Sequence, residues 1–493
     1  MNVRRYQKWA KSGLAILLAG AMMVGTAASG GGMTAQAAET ESSDTVSTQK
    51  AVTSDAASLL FTEKHITSDL TLPTIGASGT TISWKSSNPS VLSNEGKVTR
   101  PKKGAADEEV TLKGTVKMGD YAKARNFTFV VLAESEMGPT KEFALDQVEL
   151  LDDYYLTAQN SDIEFLKKFD NDRLLSRFRE TAGLDTKKIA PYGGWEDGWL
   201  GGHSVGHYLT AIAQAVKATG NADLKEKSKQ LIEGLAECQN KLGTGFIFGA
   251  KIETEGYVEK QFDILEGKTT GKTWVPWYNM HKMLTGLVDT YKYTGNKQAL
   301  EVAKKLGDWI YNRVSKWDAG TQGRVLGTEY GGMNDCLYEL YLCTRDSKHL
   351  EAAHKFDQPN LYKTVAKGGK NCLNGKHANT TIPKFLGALK RYVVLEQTGE
   401  LTKDDEAYLT NVEKFFDIAV TRHAYITGGV SVMEHFRKDN NQDGTRTQTN
   451  CESCCAHNML KMAKELYKVT GDKKYADYYE TTLRNSIMGA VKS

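Results

Sequence analysis

The chain has 493 residues, 40% hydrophobic and 25% charged, an ordinary globular composition with chain enough for two or three domains. That excludes a mostly disordered chain, a collagen-like repeat and a multi-span membrane protein, and seven cysteines are too few for a disulfide-dense scaffold. The formal charge is +3, but Arg4, Arg5, Lys8 and Lys11 all precede the first acid, Glu39; removing that leader takes the charge to −1, which leaves no net positive field for nucleic acid or anionic lipid.

The four basic residues open a predicted secretory signal over residues 1–38. An apolar, small-residue stretch runs from Gly13 to Ala28, and Ala35-Gln36-Ala37 offers a small-x-small cleavage site. The glycine-rich core and the cleavage motif argue against a membrane anchor, and no later stretch is long and apolar enough to span a bilayer. No cysteine precedes Cys238, which leaves no lipoprotein anchor. The mature protein is expected to be secreted, with its partners outside the cell. Residues 39–55, rich in Ser, Thr, Ala and Asp, read as a flexible linker.

Residues 56–134 change character. Leu70-Thr71-Leu72-Pro73, Thr81-Ile82-Ser83-Trp84, Val110-Thr111-Leu112 and Phe127 to Leu132 are short β-rich runs, separated by turns such as Ser87-Asn88-Pro89-Ser90 and Asn94-Glu95-Gly96. The spacing predicts a small all-β sandwich. Together with Gly96-Lys97-Val98-Thr99-Arg100-Pro101, these runs resemble the short bacterial immunoglobulin-like modules attached to secreted carbohydrate-active enzymes. A spacer role is favoured over sugar binding, because the one tryptophan, Trp84, is expected to fill the core.

From about Glu142 the pattern is helical. Thr219-Gly220-Asn221, Thr294-Gly295-Asn296, Thr398-Gly399-Glu400 and Thr470-Gly471-Asp472 each follow an apolar-periodic stretch, and Thr344-Arg345-Asp346 is a degenerate copy. Glycine closes one helix in the left-handed conformation, and in three of the copies Asn or Asp caps the next. The intervals are too irregular for a solenoid but fit hairpins joined by long loops at one end. About eleven helices over residues 142–493 predict an all-α toroid, the (α/α)6 barrel.

Each first helix of a hairpin carries polar residues near its start: His203 and His207, His281, Asn334, His377, and Cys454 with His457. If these helices line the toroid, their N-terminal ends converge at one mouth. Aromatics gather in the same segments: Tyr192, Trp195, Trp199, Trp274, Trp277, Tyr278 and Tyr330. Such rings stack on the apolar faces of sugars, and Trp195 and Trp277 are assigned to the mouth. The alternative for each is a place in the barrel core. In Asn450-Cys451-Glu452-Ser453-Cys454-Cys455-Ala456-His457, Glu452 and Cys454 point about 200° apart in a regular helix and reach one metal only at a loop-to-helix junction. A helix start there also favours the thiolate; structural thiols or a disulfide are the alternative. Glu434, in the Gly-rich loop Gly428-Gly429-Val430-Ser431-Val432-Met433-Glu434-His435-Phe436, can serve as a general acid; a plain surface carboxylate is the alternative.

Tyr192-Gly193-Gly194-Trp195-Glu196 with Gly202-His203-Ser204-Val205-Gly206-His207 resembles the β-L-arabinofuranosidases of glycoside hydrolase families 127 and 146, with 146 the nearer. So do Tyr278-Asn279-Met280-His281-Lys282, Glu329-Tyr330-Gly331-Gly332-Met333-Asn334, His377-Ala378-Asn379, the Glu434 loop, and Glu452-Ser453-Cys454 with Asn458-Met459-Leu460. The motifs run in consistent order over about 145–490. The resemblance implies a retaining exo-hydrolase in which a zinc-bound cysteine thiolate attacks the anomeric carbon and a glutamate protonates the leaving oxygen. By motif, Glu434 matches the acid/base, Glu452 and Cys454 two ligands of Zn2+, and His207, His377 and His281 sugar contacts. The partners implied are arabinose-containing plant glycans or glycoproteins. The family's nucleophile belongs to a later segment, so the chain is expected to be a fragment, weak or inactive by itself. Two other readings stand beside this one: a glycan-binding toroid without turnover, and a zinc-independent toroid enzyme such as an unsaturated-uronide hydrolase or sugar epimerase.

Overall fold

The computed structural model describes residues 43–61, 65–66, 69–102, 105–131, 133, 140–250, 257–447 and 449–490. The predicted signal segment, 1–38, lies outside them. Among the described residues no helix is long and apolar enough to cross a membrane.

The stretch read as a flexible linker is largely helix, and this corrects the sequence reading. Helix α1 (Ser43–Ser58) presents Val52 and Ala56, followed by Leu59, at a helical spacing of four and three residues; they pack on Ile82 and Val116 of the neighbouring sheet. Composition hid that stripe, because Ser and Thr dominate the other faces. Buried Asp55 fixes the helix by accepting from the Ser78 N–H, the Ser78 hydroxyl and the Thr80 hydroxyl. Arg125 donates to the Ala56, Ala57 and Leu59 carbonyls, which the end of the helix leaves free.

The sheet comprises β1 (His65–Ile66), β2 (Thr81–Ser86), β3 (Glu108–Met118) and β4 (Tyr121–Val131) in the order β1-β4-β3-β2, with only β1 and β4 parallel. Alternation along β3 and β4 buries one face through Val110, Leu112, Val116, Phe129 and Val131. Helix α1 and the apolar side chains of the 69–99 segment cover that same face, so the second layer of the module is a helix and loops. Trp84 is part of this core, as expected. A Cβ at Gly114 would fall 2.7 Å from its ring, and its indole N–H donates to the Pro73 carbonyl at 2.8 Å.

The helical part runs α2 (Asp153–Lys167), α3 (Asn171–Thr181), α4 (His203–Thr219), α5 (Ala222–Leu242), α6 (Lys260–Leu265), α7 (Pro276–Thr294), α8 (Lys297–Val314), α9 (Ala319–Leu326), α10 (Met333–Thr344), α11 (Ser347–His354), α12 (Pro359–Ala366), α13 (Ala378–Thr398), α14 (Glu406–His423), α15 (Gln442–Thr445), α16 (Ser453–Thr470) and α17 (Lys473–Thr482). This exceeds the expected number because the connecting loops carry short helices of their own. The five Thr-led turns close five hairpins. Gly220, Gly295, Gly399 and Gly471 end their helices at φ of 69° to 75°, and Arg345 does so at 57°. Asn221, Asn296 and Asp472 cap the following helices, and Asp346 does the same for α11.

Helices α4, α7, α10, α13 and α16 pack side by side in that order, with α5, α8, α11, α14 and α17 as their outer partners. This is the expected (α/α)6 toroid, of which five inner helices can be followed among the described residues. Helices α2 and α3 extend the outer layer over α4 and α5. The closest inner approach is that of α4 and α7. A Cβ at Gly206 would collide with the Lys282 carbonyl, so only glycine lets the two backbones meet there, and their N-terminal turns lie side by side. Deeper in the barrel the inner helices are tied by charge. Glu339 of α10 takes Lys292 of α7 and Lys390 of α13, each at 2.6 Å, and Lys390 faces Glu465 of α16 at 3.8 Å. Burial alone would raise the Glu339 pKa, but Lys390 and Lys292 outweigh it and hold the carboxyl below its ordinary range.

Candidate active site

The N-terminal turns of the inner helices share one mouth. Just ahead of α4, Glu196 organises the entry. Its buried carboxylate accepts from the Gly202 N–H at 2.6 Å and the Ser204 N–H at 3.0 Å, and lies 3.0 Å from His203 Nδ1. One turn further in, His207 opens to the cavity. Enclosure by the walls, then the charges of Lys282, His203, His457 and Lys461, lower its pKa to about 3. His457 on α16 is lowered to about 4, by burial and by Lys461 and Lys282. The cavity therefore holds neutral imidazoles next to lysines. Lys282 of α7 lies over the Tyr278 ring at 4.7 Å, and burial brings its pKa down to about 8. Lys461 of α16 pairs with Asp335 of α10 at 3.2 Å.

The Glu434 loop and the start of α16 carry further carboxylates. Glu434 sits at φ +63° in a loop where Ser431, Met433 and Cys451 also take positive φ. Four non-glycine residues in that region mark stored strain of the kind found at functional sites. The surrounding backbone locks it: Met433 N–H bonds to the Thr449 carbonyl at 2.9 Å, Cys451 N–H to Ser431 at 3.1 Å, and Ala378 N–H to the Glu434 carbonyl at 2.6 Å. The Glu434 carboxylate stays exposed, with His377 Nε2 3.0 Å from its Oε2. His377 is also the N-cap of α13, its Nδ1 accepting from the Thr380 N–H at 3.1 Å. With Nδ1 occupied as an acceptor, the ring proton sits on Nε2 and is donated to Glu434.

Glu452 and Cys454 converge at the start of α16, as the loop-to-helix junction predicts. Glu452 is the N-cap residue but makes no side-chain cap; Cys454 hydrogen-bonds to its carboxylate, and Cys455 Sγ lies 3.6 Å from Glu452 Oε2. Burial, and then Glu434, raise the Glu452 pKa. The Cys454 thiol is pushed up to about 11 by burial and the Glu452 carboxylate. All seven cysteines are free, which removes the disulfide reading. A carboxylate and a thiol are suitable zinc donors, but a catalytic zinc uses three protein ligands. Among the described residues no third His, Cys, Asp or Glu joins these two within ligand spacing.

Several expected sugar contacts belong elsewhere. Trp277 is fully buried among Phe262, Trp309, Trp317 and Phe356, because its side of α7 faces the outer helices. Asn334 is also fully buried, donating to Asp357 at 3.0 Å in a network that includes Tyr338 and Arg391. His281 is 5% exposed, and its Nδ1 accepts from the Gly332 N–H at 2.9 Å. It pins α7 to the Gly331-Gly332 turn that opens α10. Trp195 is largely exposed, at 68%.

Sequence reading missed Glu196, Lys282, Asp335 and Lys461. One signal was available: Cys454, His457 and Lys461 follow at three and seven residues, a single helical face. A separate hollow of about 610 Å³ between α3 and α5, lined by residues such as Asp170, Arg179 and Lys227, has no thiol or imidazole and lies apart from this mouth.

A toroid whose inner-helix N-termini gather carboxylates, imidazoles and a thiol around one cavity is a catalytic domain of the glycoside hydrolase class. The family can be stated more narrowly. A family model described as "Beta-L-arabinofuranosidase, GH127 catalytic domain" matches residues 147–493, and the chain belongs to that family. An atrophied bacterial Ig domain matches residues 41–134, which takes in helix α1. A GH127 beta-arabinofuranosidase of known structure shares 18% identity at a TM-score of 0.51, covering 72% of this chain and 55% of that one. The GH127 beta-L-arabinofuranosidase from Geobacillus stearothermophilus T6 shares 17% at a TM-score of 0.45, covering 71% of this chain and 56% of that one. At such identities the likeness to the first is one of fold. The chain spans little more than half the length of these enzymes. No curated protein matches it.

Proposed function

We propose that the protein is a secreted exo-glycosidase that releases L-arabinofuranose from β-L-arabinofuranosides of plant glycans or glycoproteins. The observation that carries this reading is the pairing of Glu434 with His377 across a mouth that also holds Glu452 and Cys454. Family membership supplies the reaction class. Glu434 delivers a proton to the departing glycosidic oxygen. His377 fixes the direction of that carboxylate from a capping position that the start of α13 makes rigid. His207, uncharged and open to the cavity, exchanges hydrogen bonds with sugar hydroxyls, and Trp195 offers an apolar face at the rim. Lys282 and Lys461 place donors on the floor. Glu452 and Cys454 would be two of the ligands of a zinc ion, which, when bound, would lower the pKa of a coordinated thiol.

The test is turnover of an aryl β-L-arabinofuranoside and of a natural disaccharide by the intact protein and its Glu434→Gln variant. Loss of about two to four decades on the disaccharide, with a smaller loss on the activated aryl substrate, is the signature of a lost general acid. Equal losses on both would reject the role of Glu434. Arabinoside binding with no turnover would favour a glycan-binding toroid instead.

A further inference from the structure

Asp308 lies on α8, while Asp346 and His349 belong to the start of α11, the outer helix of the next hairpin. Asp346 caps α11, accepting from the Lys348 N–H at 3.0 Å. His349 is fully buried. Its Nδ1 is 2.8 Å from the Thr344 hydroxyl, whose own proton goes to the Leu340 carbonyl at 3.0 Å. Thr344 therefore accepts from His349, and the imidazole carries its proton on Nδ1. Nε2 is left with a bare lone pair. It has no hydrogen-bond partner, and neither has Asp308 Oδ1, although both atoms are buried; they face each other at 3.8 Å.

One donor atom from each of Asp308, Asp346 and His349 lies within 4.8 Å of the other two. Two carboxylate oxygens and an imidazole nitrogen gathered this closely repel unless a proton or a cation lies among them. Lys348 Nζ, on a half-exposed side chain, makes a long ion pair with Asp308 Oδ1 at 3.8 Å, and the Lys304 main-chain carbonyl lies near the His349 ring. We propose that Asp308, Asp346 and His349 bind a divalent transition-metal ion of the zinc class, which clamps α8 to α11. One imidazole and two carboxylates form a familiar donor set for zinc. Ligands at about 2.0–2.1 Å from a tetrahedral ion stand roughly 3.4 Å apart, so the observed spacing needs only a small inward movement of side chains.

This site is separate from the mouth. Asp346 follows the C-terminal end of inner helix α10, whereas the catalytic side chains gather at inner N-termini. The twelve residues of α10 alone span about 18 Å.

The experiment uses the full chain carrying Glu452→Gln and Cys454→Ser, which removes the two zinc donors assigned at the mouth. After chelation, Zn2+ is added while melting temperature and bound metal are measured, and Co2+ serves as a spectroscopic probe. The expected result is one equivalent of zinc, a higher melting temperature, and cobalt d–d bands without a thiolate charge-transfer band. Adding His349→Gln, Asp308→Asn or Asp346→Asn should weaken binding by at least about tenfold. Asn caps a helix as well as Asp does, so Asp346→Asn keeps the fold while removing a charge. No zinc-dependent stabilisation in the parent, or an equal one in Asp308→Asn and Asp346→Asn, overturns the site. Either result leaves the arabinoside reading of the mouth untouched.

Discussion

His377 Nε2 stands 3.0 Å from Glu434 Oε2, and the same imidazole caps α13 through Nδ1. One ring therefore ties the start of an inner helix to the carboxylate assigned the proton transfer. The two duties can be separated. His377→Asn keeps a good cap but cannot reach Glu434, whereas His377→Ala loses both. His377→Asn should melt close to the parent and still lose kcat on an arabinoside, while His377→Ala should also cost about 1 kcal/mol of stability. Parallel thermal unfolding and turnover measurements check this; unchanged kcat in both variants would leave His377 a cap alone.

Trp277 and Trp195 give opposite predictions despite similar sequence surroundings. Truncating the buried Trp277 to Ala opens a cavity in an aromatic cluster and should cost about 3–5 kcal/mol. Truncating Trp195, which is largely exposed, should change stability by no more than about 0.5 kcal/mol and should weaken arabinoside binding. Chemical denaturation and a binding isotherm on each variant measure the two effects.

Glu339 holds two lysines from neighbouring inner helices. Glu339→Gln leaves both ammoniums without their shared partner, and a loss of about 3 kcal/mol or more is expected. Because the folded carboxyl titrates below its ordinary range, its contribution is complete above the ordinary carboxylate pKa and fades as the solution becomes more acidic. The parent and the variant should therefore converge in melting temperature at low pH.

His207 titrates at about 3 in the folded protein, against an ordinary 6.5. Between those values the unfolded chain binds a proton that the folded chain refuses, so folding is favoured most above pH 6.5 and loses ground toward pH 3. His207→Gln removes this term. Its melting temperature should fall less steeply than the parent's between pH 6.5 and pH 4; parallel curves would show that His207 is not confined as described.

The sequence by itself determined the hairpin grammar. Thr-Gly-Asn and its variants are local signals, since left-handed closure and side-chain capping depend on a few adjacent residues, and all five predicted turns close hairpins. The junction of Glu452 with Cys454 was legible for the same reason. Orientation around a helix was not. Trp277, Asn334 and His281 occupy the same stretches of inner helices as His207, and only packing decides which side of each helix meets the cavity, the outer layer or the next inner helix. Helix α1 was hidden in the same way: its thin apolar stripe became meaningful only against the Ile82–Val116 face of the sheet. The cationic floor of Lys282 and Lys461 and the pairing of His377 with Glu434 join residues tens of positions apart. Tertiary structure alone sets the burial and electrostatic neighbours that hold their protons.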